Sequence, residues 1–335
     1  MDTLLPKFDQ ALSIVQADLL TAGLGAPDPL TTGLEQTRAQ IRRSYAALSL
    51  APPLMSAQQD VEIQMVGYRV HCRIYWPTTT AKGCPALVYV HGGGWFFGDV
   101  STHDRIAREF ARASALPVVS VGYSNAPERK YPVQIEEIRI VLNWLAAYGE
   151  ASGIDPDRLI FVGDSAGANL VLSCVASRLN DLTRAQVRGL VLYYGVYSGD
   201  LDRDSWQRLG DGKFGLSRRV MDWYWSQYLY DLAQKAEPAA SPLNGRLANV
   251  PDAWLGVGNL DPLIDDSREL AAQLNALGKP CQLRIFPGYT HGFLRLCERL
   301  PGAASAINEG ARAARMMLGL ALELEPGDAD GTSGS

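Results

Sequence analysis

The sequence predicts an α/β protein built on a mostly parallel sheet. Three observations carry that expectation: short apolar runs recur along the chain, helical patterns lie between them, and glycine-rich or Gly-Ser stretches stand where runs end. The chain has 335 residues, 47% hydrophobic and 20% charged, with a net charge of −5, the balance of a globular protein with material for a large core. Lys and Arg are scattered rather than blocked, so no nucleic-acid partner and no anionic membrane surface is expected.

Taken in order, Leu34, Ile41, Tyr45 and Leu48 recur at helical spacing, and Pro52-Pro53 interrupts that pattern. Glu62 to Val66 and Tyr68 to Trp76 predict a hairpin about Gly67. Six further apolar runs suit buried parallel strands: Ala86 to Val90, Pro117 to Val121, Leu159 to Val162, Leu190 to Tyr194, Ala253 to Val257 and Gln282 to Phe286. Helical faces fall between and after them, at Ile135, Ile138, Leu142 and Leu145, at Asn169 to Arg178, at Leu270 to Leu277 and at Ala304 to Leu322. Gly199 to Tyr230 breaks the alternation with seven aromatic residues, and with the N-terminal helices it is expected to cover the sheet. The expected organisation is therefore a helical cap segment over 1–55, a core over 56–198, a second cap segment over 199–235 and a core over 236–325. The small, polar residues 326–335 are expected to be a disordered tail.

Met1 to Asp9 lacks a basic region leading into an apolar run, and nowhere are there ~18 uninterrupted apolar residues. Neither a leader nor a membrane span is expected. The five cysteines are odd in number and show no paired spacing, so reduced, mostly buried thiols and a cytoplasmic location are expected.

Gly163-Asp164-Ser165-Ala166-Gly167 fits G-x-S-x-G, with an apolar run before it and a helical pattern after it. A strand-to-helix reversal there lifts the Ser165 hydroxyl to the carboxyl end of the sheet, next to a helix N-terminus. His91-Gly92-Gly93-Gly94-Trp95 follows another strand, and successive glycines can aim adjacent N–H groups at one oxygen. Gly93 and Gly94, with Ala166, are the expected donors to an oxyanion. A phosphate loop would carry a Lys and a Ser or Thr after its glycines, where this chain has Trp95-Phe96-Phe97.

Of the four histidines, His71 lies in a strand, His103 starts a helix and His91 is expected to orient the glycine loop. His291 stands in a loop after the last strand, where an open sheet places its site. An acid should fall between the serine and this histidine, and Asp261 follows a strand there, with Asp265 and Asp266 assigned to capping the next helix. The expected catalytic set is Ser165, Asp261 and His291, and Trp95, Phe96, Trp206 and Phe214 are candidates for the substrate pocket. No metal and no cofactor is called for.

Four motifs in this order, His91-Gly92-Gly93-Gly94-Trp95, Gly163 to Gly167, Asp261-Pro262-Leu263 and His291-Gly292-Phe293, resemble the bacterial hormone-sensitive-lipase-like esterases, most nearly their acetyl esterase branch. Thr102 to Arg105 and Tyr193 to Tyr197 support the same branch, and the similarity spans roughly 62–320. The resemblance implies the α/β-hydrolase fold: an eight-stranded, mostly parallel sheet flanked by helices, with a helical cap. It also implies short acyl esters as substrates, and it supports Gly93, Gly94 and Ala166 as oxyanion donors. One stretch departs from the family. Tyr123-Ser124-Asn125-Ala126-Pro127-Glu128 stands where Tyr-Arg-Leu-Ala-Pro-Glu is common.

The expected function is a carboxylesterase for short-chain, acetyl-type esters acting through an acyl-enzyme. An amidase, deacetylase or lactonase would use the same residues, and a non-catalytic binding protein on this scaffold is the alternative of another class. The expected partner is a small-molecule ester, with the chain a monomer or a homodimer.

Overall fold

The apolar runs become strands whose successive residues enter opposite faces of one sheet. In the computed structural model, residues 8–25, 27–78, 83–177 and 185–321 are described; the expected tail at 326–335 lies outside them. The N-terminal region holds α1 (Gln10–Thr21), α2 (Pro29–Thr32) and α3 (Leu34–Ala47). The sheet begins with β1 (Ala57–Gln64) and β2 (Arg69–Trp76), followed by β3 (Cys84–Val90), α4 (Asp104–Ser114), β4 (Val118–Gly122), α5 (Val133–Tyr148), β5 (Ile154–Asp164) and α6 (Ala166–Ala176). Then come β6 (Val187–Tyr193), α7 (Asp204–Leu209), α8 (Arg218–Tyr228), β7 (Ala253–Gly258), α9 (Ile264–Ala276), β8 (Cys281–Phe286) and α10 (Pro301–Met317).

The eight strands form one sheet in the order β1-β2-β4-β3-β5-β6-β7-β8. β1 with β2 and β2 with β4 are antiparallel, and all other pairs are parallel. On β3 and β5, Ala86, Val88, Val90, Leu159 and Phe161 join the core on one face, whereas Leu87, Tyr89, Ile160 and Val162 join the core on the other. Helices α5, α6, α8 and α9 pack into the first core, and α1, α4 and α10 into the second. A strand buried on both faces has no polar side to show, which is why these runs are continuously apolar.

Three expectations change in detail. β1 starts at Ala57, five residues before Glu62, because its first four residues are exposed on an edge strand and carry no apolar alternation. The buried side of α3 holds Thr37, Arg38, Ile41 and Ser44, while Leu34 is exposed. The helix after Ser165 begins at Ala166, three residues before Asn169. Of the cysteines, Cys72, Cys174 and Cys297 are buried and Cys84 and Cys281 are half-buried. No helix among the described residues is long and apolar enough to cross a membrane.

The order also places the loops. The chain runs from β3 outward to β4 and then returns to β5 on the other side of β3, so the loops leaving β3 and β5 emerge side by side. Their ends are level, with Val90 paired to Gly163.

The four apolar residues read from the sequence as one face of α5 are all buried against the sheet. Ile138→Ala, at 0% exposure, should lower unfolding stability by about 2–5 kcal/mol. Urea denaturation monitored by far-UV circular dichroism measures it.

Candidate active site

At the end of β5 the backbone turns sharply. Ser165 caps α6 with φ 52 and ψ −120, a left-handed conformation that a side chain rarely adopts. Its N–H donates to Tyr193 O at 2.9 Å, holding the turn against the end of β6. The tightness of the reversal is visible at Gly167, where a Cβ would lie 2.1 Å from Val90 O and 2.4 Å from His91 O. The first turn of α6 therefore rests on the backbone of β3 and its loop, and only glycine allows that approach.

The structure brings Ser165, His291 and Asp261 together from three loops. Ser165 Oγ donates to His291 Nε2 at 2.9 Å, and His291 Nδ1 donates to Asp261 Oδ2 at 2.8 Å. Asp261 is wholly buried, and its other oxygen accepts the Leu263 N–H at 2.9 Å. The loops after β7 and β8 are tied to each other: Gly288 N–H donates to Asn259 Oδ1 at 2.7 Å and Leu260 N–H to Tyr289 O at 3.1 Å. The edge of His291 meets the Tyr194 ring at 5.0 Å between centroids.

The glycine loop lies beside the serine. Gly93 has φ 121, and a Cβ there would sit 2.1 Å from Phe97 O, so the turn closes on itself. Phe96 and Phe97 N–H both donate back to Gly93 O, at 3.0 and 3.1 Å. Among the described residues, none accepts a backbone or side-chain hydrogen bond from the N–H of Gly93, Gly94 or Ala166. The Tyr224 ring of α8 lies across Gly94, near enough that a Cβ there would come within 2.7 Å of it.

Of the pocket candidates, Trp95 is fully buried, stacked on Tyr228 at 4.3 Å and tilted against Trp225 at 4.6 Å. Phe96 is fully buried between Trp223 and the Arg38 guanidinium. Trp206, in α7, is buried, and Phe214 packs on Phe8 at 5.3 Å. Trp95 and Phe96 thus fill the joint between glycine loop and α8, and Tyr224 is the α8 ring that lies on the loop backbone.

Asp164 was not singled out from sequence, yet it joins the two halves of the site. Its Oδ1 accepts the Tyr89 hydroxyl at 2.8 Å and the Gly92 N–H at 2.9 Å. Burial pushes its carboxyl up to about 6, against the pull of those donors. The available signal was its place beside Ser165 in the motif. Asp265 and Asp266 lie in the first turn of the next helix, as expected of carboxylates, but do not cap it, since α9 starts before them, at Ile264. Asp265 accepts the Ser205 N–H at 2.9 Å, and Asp266 accepts those of Tyr197 and Ser198 at 2.8 and 2.9 Å. Both carboxylates tie α9 to the segment leaving β6, a use that helix-end statistics do not reveal.

The other histidines take the structural places expected of them. His91 donates from Nδ1 to Gly92 O at 2.7 Å and is stacked between Tyr123 and His103. Burial lowers it to about 4 and holds His103 well below the usual range, so both rings are neutral. His71 meets Asp60 at 3.2 Å on the exposed hairpin, far in topology from any nucleophile.

With this geometry, similarity to known proteins becomes informative. A profile of the alpha/beta hydrolase fold family matches residues 87–295. The chain belongs to that family. The acetyl esterase of Salmonella paratyphi B is 35% identical over 245 residues, covering 72% of this chain and 75% of its own. The acetyl esterase of Salmonella typhi matches equally, at 35% over 245 residues. Among solved structures, a thermophilic, thermostable carboxylesterase cloned from a metagenomic library superposes with a TM-score of 0.83 at 31% identity, over 86% of this chain and 99% of that one. The hyperthermophilic esterase of the archaeon Pyrobaculum calidifontis reaches 0.86 at 28% identity, over 93% and 99%.

Two outcomes follow from the close packing. Gly167→Ala should cost about 3 kcal/mol or more, seen as a fall in the thermal midpoint, because backbone oxygens cannot yield as a flexible side chain would. His91 has a folded value of about 4 against 6.5 in the unfolded chain, so protonation favours unfolding and stability is lost as pH falls through this window. Asp99 is the charge that works against this shift, and the stacked His103 is itself neutral. Urea unfolding at pH 7 and pH 5 should show wild type losing about 2 kcal/mol more than His91→Asn, which keeps a donor for Gly92 O but does not titrate.

Proposed function

We propose that this carboxylesterase hydrolyses short-chain, acetyl-type esters through an acyl-enzyme formed on Ser165. The observation that carries the reading is the continuous relay from Ser165 Oγ through His291 to the buried Asp261, at 2.9 and 2.8 Å, on a serine held at positive φ beside a helix N-terminus. In this reading His291 Nε2 takes the hydroxyl proton as Oγ attacks the ester carbonyl, and then gives it to the departing alcohol. Asp261 holds the imidazole with Nδ1 protonated and stabilises the imidazolium. Water, deprotonated by His291, then attacks the acyl-serine, releasing the acid and restoring the hydroxyl.

Negative charge on the former carbonyl oxygen is met by the N–H groups of Gly93, Gly94 and Ala166, each of which is typically worth ~10²–10³ in rate. Two features favour a small acyl group: Ser165 is 8% exposed, and the Tyr224 ring covers Gly94. The acetyl esterase relatives support the same substrate class. The N-terminal helices and the segment carrying α7 and α8 act as a two-part cap, with α8 seated on the glycine loop and Arg219 paired to Asp28 beside α2.

The test is turnover of p-nitrophenyl acetate, butyrate, octanoate and palmitate, with an anilide of the best acyl group. Rates should fall steeply beyond butyrate, and Ser165→Ala should lower kcat about 10⁵-fold or more. A faster anilide would point to an amidase. Turnover that persists in Ser165→Ala would remove Ser165 as the nucleophile.

A further inference from the structure

The N-terminal region sends one buried cation to the glycine loop. Arg38, on α3, is 7% exposed. Its guanidinium has five N–H groups, and the structure provides five acceptors. Nε donates to Phe96 O at 3.0 Å, and Nη2 donates to Ala126 O at 2.8 Å and to Glu128 Oε2 at 2.7 Å. Nη1 donates to Glu128 Oε1 at 2.7 Å and to Glu35 Oε1 at 3.1 Å. The group also lies over the Phe96 ring at 4.6 Å.

Phe96 O is one end of the turn whose other end carries the oxyanion donors. The turn is closed by the Phe96 and Phe97 N–H bonds to Gly93 O, and Phe97 O occupies the place a Gly93 Cβ would take, so displacement of the Phe96 peptide shifts the Gly93 and Gly94 peptides with it. The loop after β4 is fastened to the same turn, since Ala126 N–H donates to Trp95 O at 2.7 Å. Arg38 thus spans three segments remote in sequence, and a buried fork with two carbonyls and a carboxylate as acceptors holds one orientation.

We propose that Arg38 is a positioning residue for the oxyanion loop, through which the N-terminal helices set the rate of the reaction rather than only covering the site. The inference rests on the reading of Gly93 and Gly94 as oxyanion donors. A loop loosened by a fraction of an ångström leaves ground-state binding nearly intact while weakening bonds that matter most in the transition state.

Arg38→Met and Arg38→Lys are compared with wild type on p-nitrophenyl acetate, alongside thermal melting. A second readout is the rate at which a p-nitrophenyl alkylphosphonate blocks Ser165, since its phosphoryl oxygen takes the oxyanion's place. Both variants should melt cooperatively, lose kcat about ten- to a hundredfold with KM within about twofold, and be phosphonylated correspondingly more slowly. The lysine ammonium cannot serve the fork and both carbonyls, so it rescues little, whereas added guanidinium ion should restore part of the kcat of Arg38→Ala. Glu35→Gln, which alters only the more exposed of the two carboxylates (82% against 57% for Glu128) and the longer of their bonds, should keep the wild-type kcat. Should Arg38→Met fail to fold, Arg38→Lys carries the same comparison. Folded Arg38 variants with wild-type kcat and phosphonylation overturn this proposal alone. A wild type that the phosphonate does not modify at Ser165 overturns the nucleophile reading, and this proposal with it.

Discussion

The site depends on one buried carboxylate. Asp164 sits where β5 ends, and its Oδ1 receives both the Tyr89 hydroxyl from β3 and the Gly92 N–H from the loop beyond it. Two adjacent parallel strands level at their carboxyl ends would otherwise release two independent loops. With the carboxylate between them, the serine turn and the glycine loop form one rigid unit. Burial opposes the charge and drives the group up to about 6, which is the cost of placing an acceptor where a backbone donor must be held. The contact between Gly167 and the Val90 and His91 carbonyls belongs to the same joint. Side chain and backbone together fix the distance between Ser165 and the glycine-loop N–H groups to within the play of a packed core.

The histidines show how environment separates identical side chains. His91 and His103 are stacked and wholly buried, and both stay neutral because desolvation outweighs the groups that favour the charged form, Asp99 among them for His91. His91 spends its one N–H on Gly92 O, so it shapes the loop without moving a proton. His71 has a carboxylate beside it but lies on an exposed hairpin. Only His291 has a buried carboxylate on one nitrogen and a serine on the other.

Much of this was legible along the chain. Strands buried on both faces are largely apolar, so β3 to β7 stood out as runs, with the edge strand β8 a more polar one, and β5 and β3 announced their loops with glycine-rich motifs. Ser165, Asp261 and His291 were legible for the same reason: each follows a recognisable strand, and an α/β sheet gathers such loops at one edge. What stayed hidden obeys no local period. The exposed start of β1 has no apolar side to alternate. Asp265 and Asp266 looked like helix caps because their nearest neighbours in sequence are a helix, yet their partners are Ser205, Tyr197 and Ser198. Nothing in the sequence marks Arg38, because its chief acceptor, Glu128, lies 90 residues on. The stretch from Tyr123 to Glu128 lacks the family's usual arginine, and the guanidinium on this loop comes from α3.

The sequence by itself determined the sheet, the order of its strands' loops and the chemical types at the site. Those follow from burial and from steric limits at turns, which act over a few neighbouring residues. Tertiary structure alone decided which carboxylate braces the loops, which aromatic ring lies on Gly94 and which cation closes the turn at Phe96. These are pairings of groups taken out of water. Each buried donor must find an acceptor wherever the fold supplies one, and that place is set by the path of the whole chain.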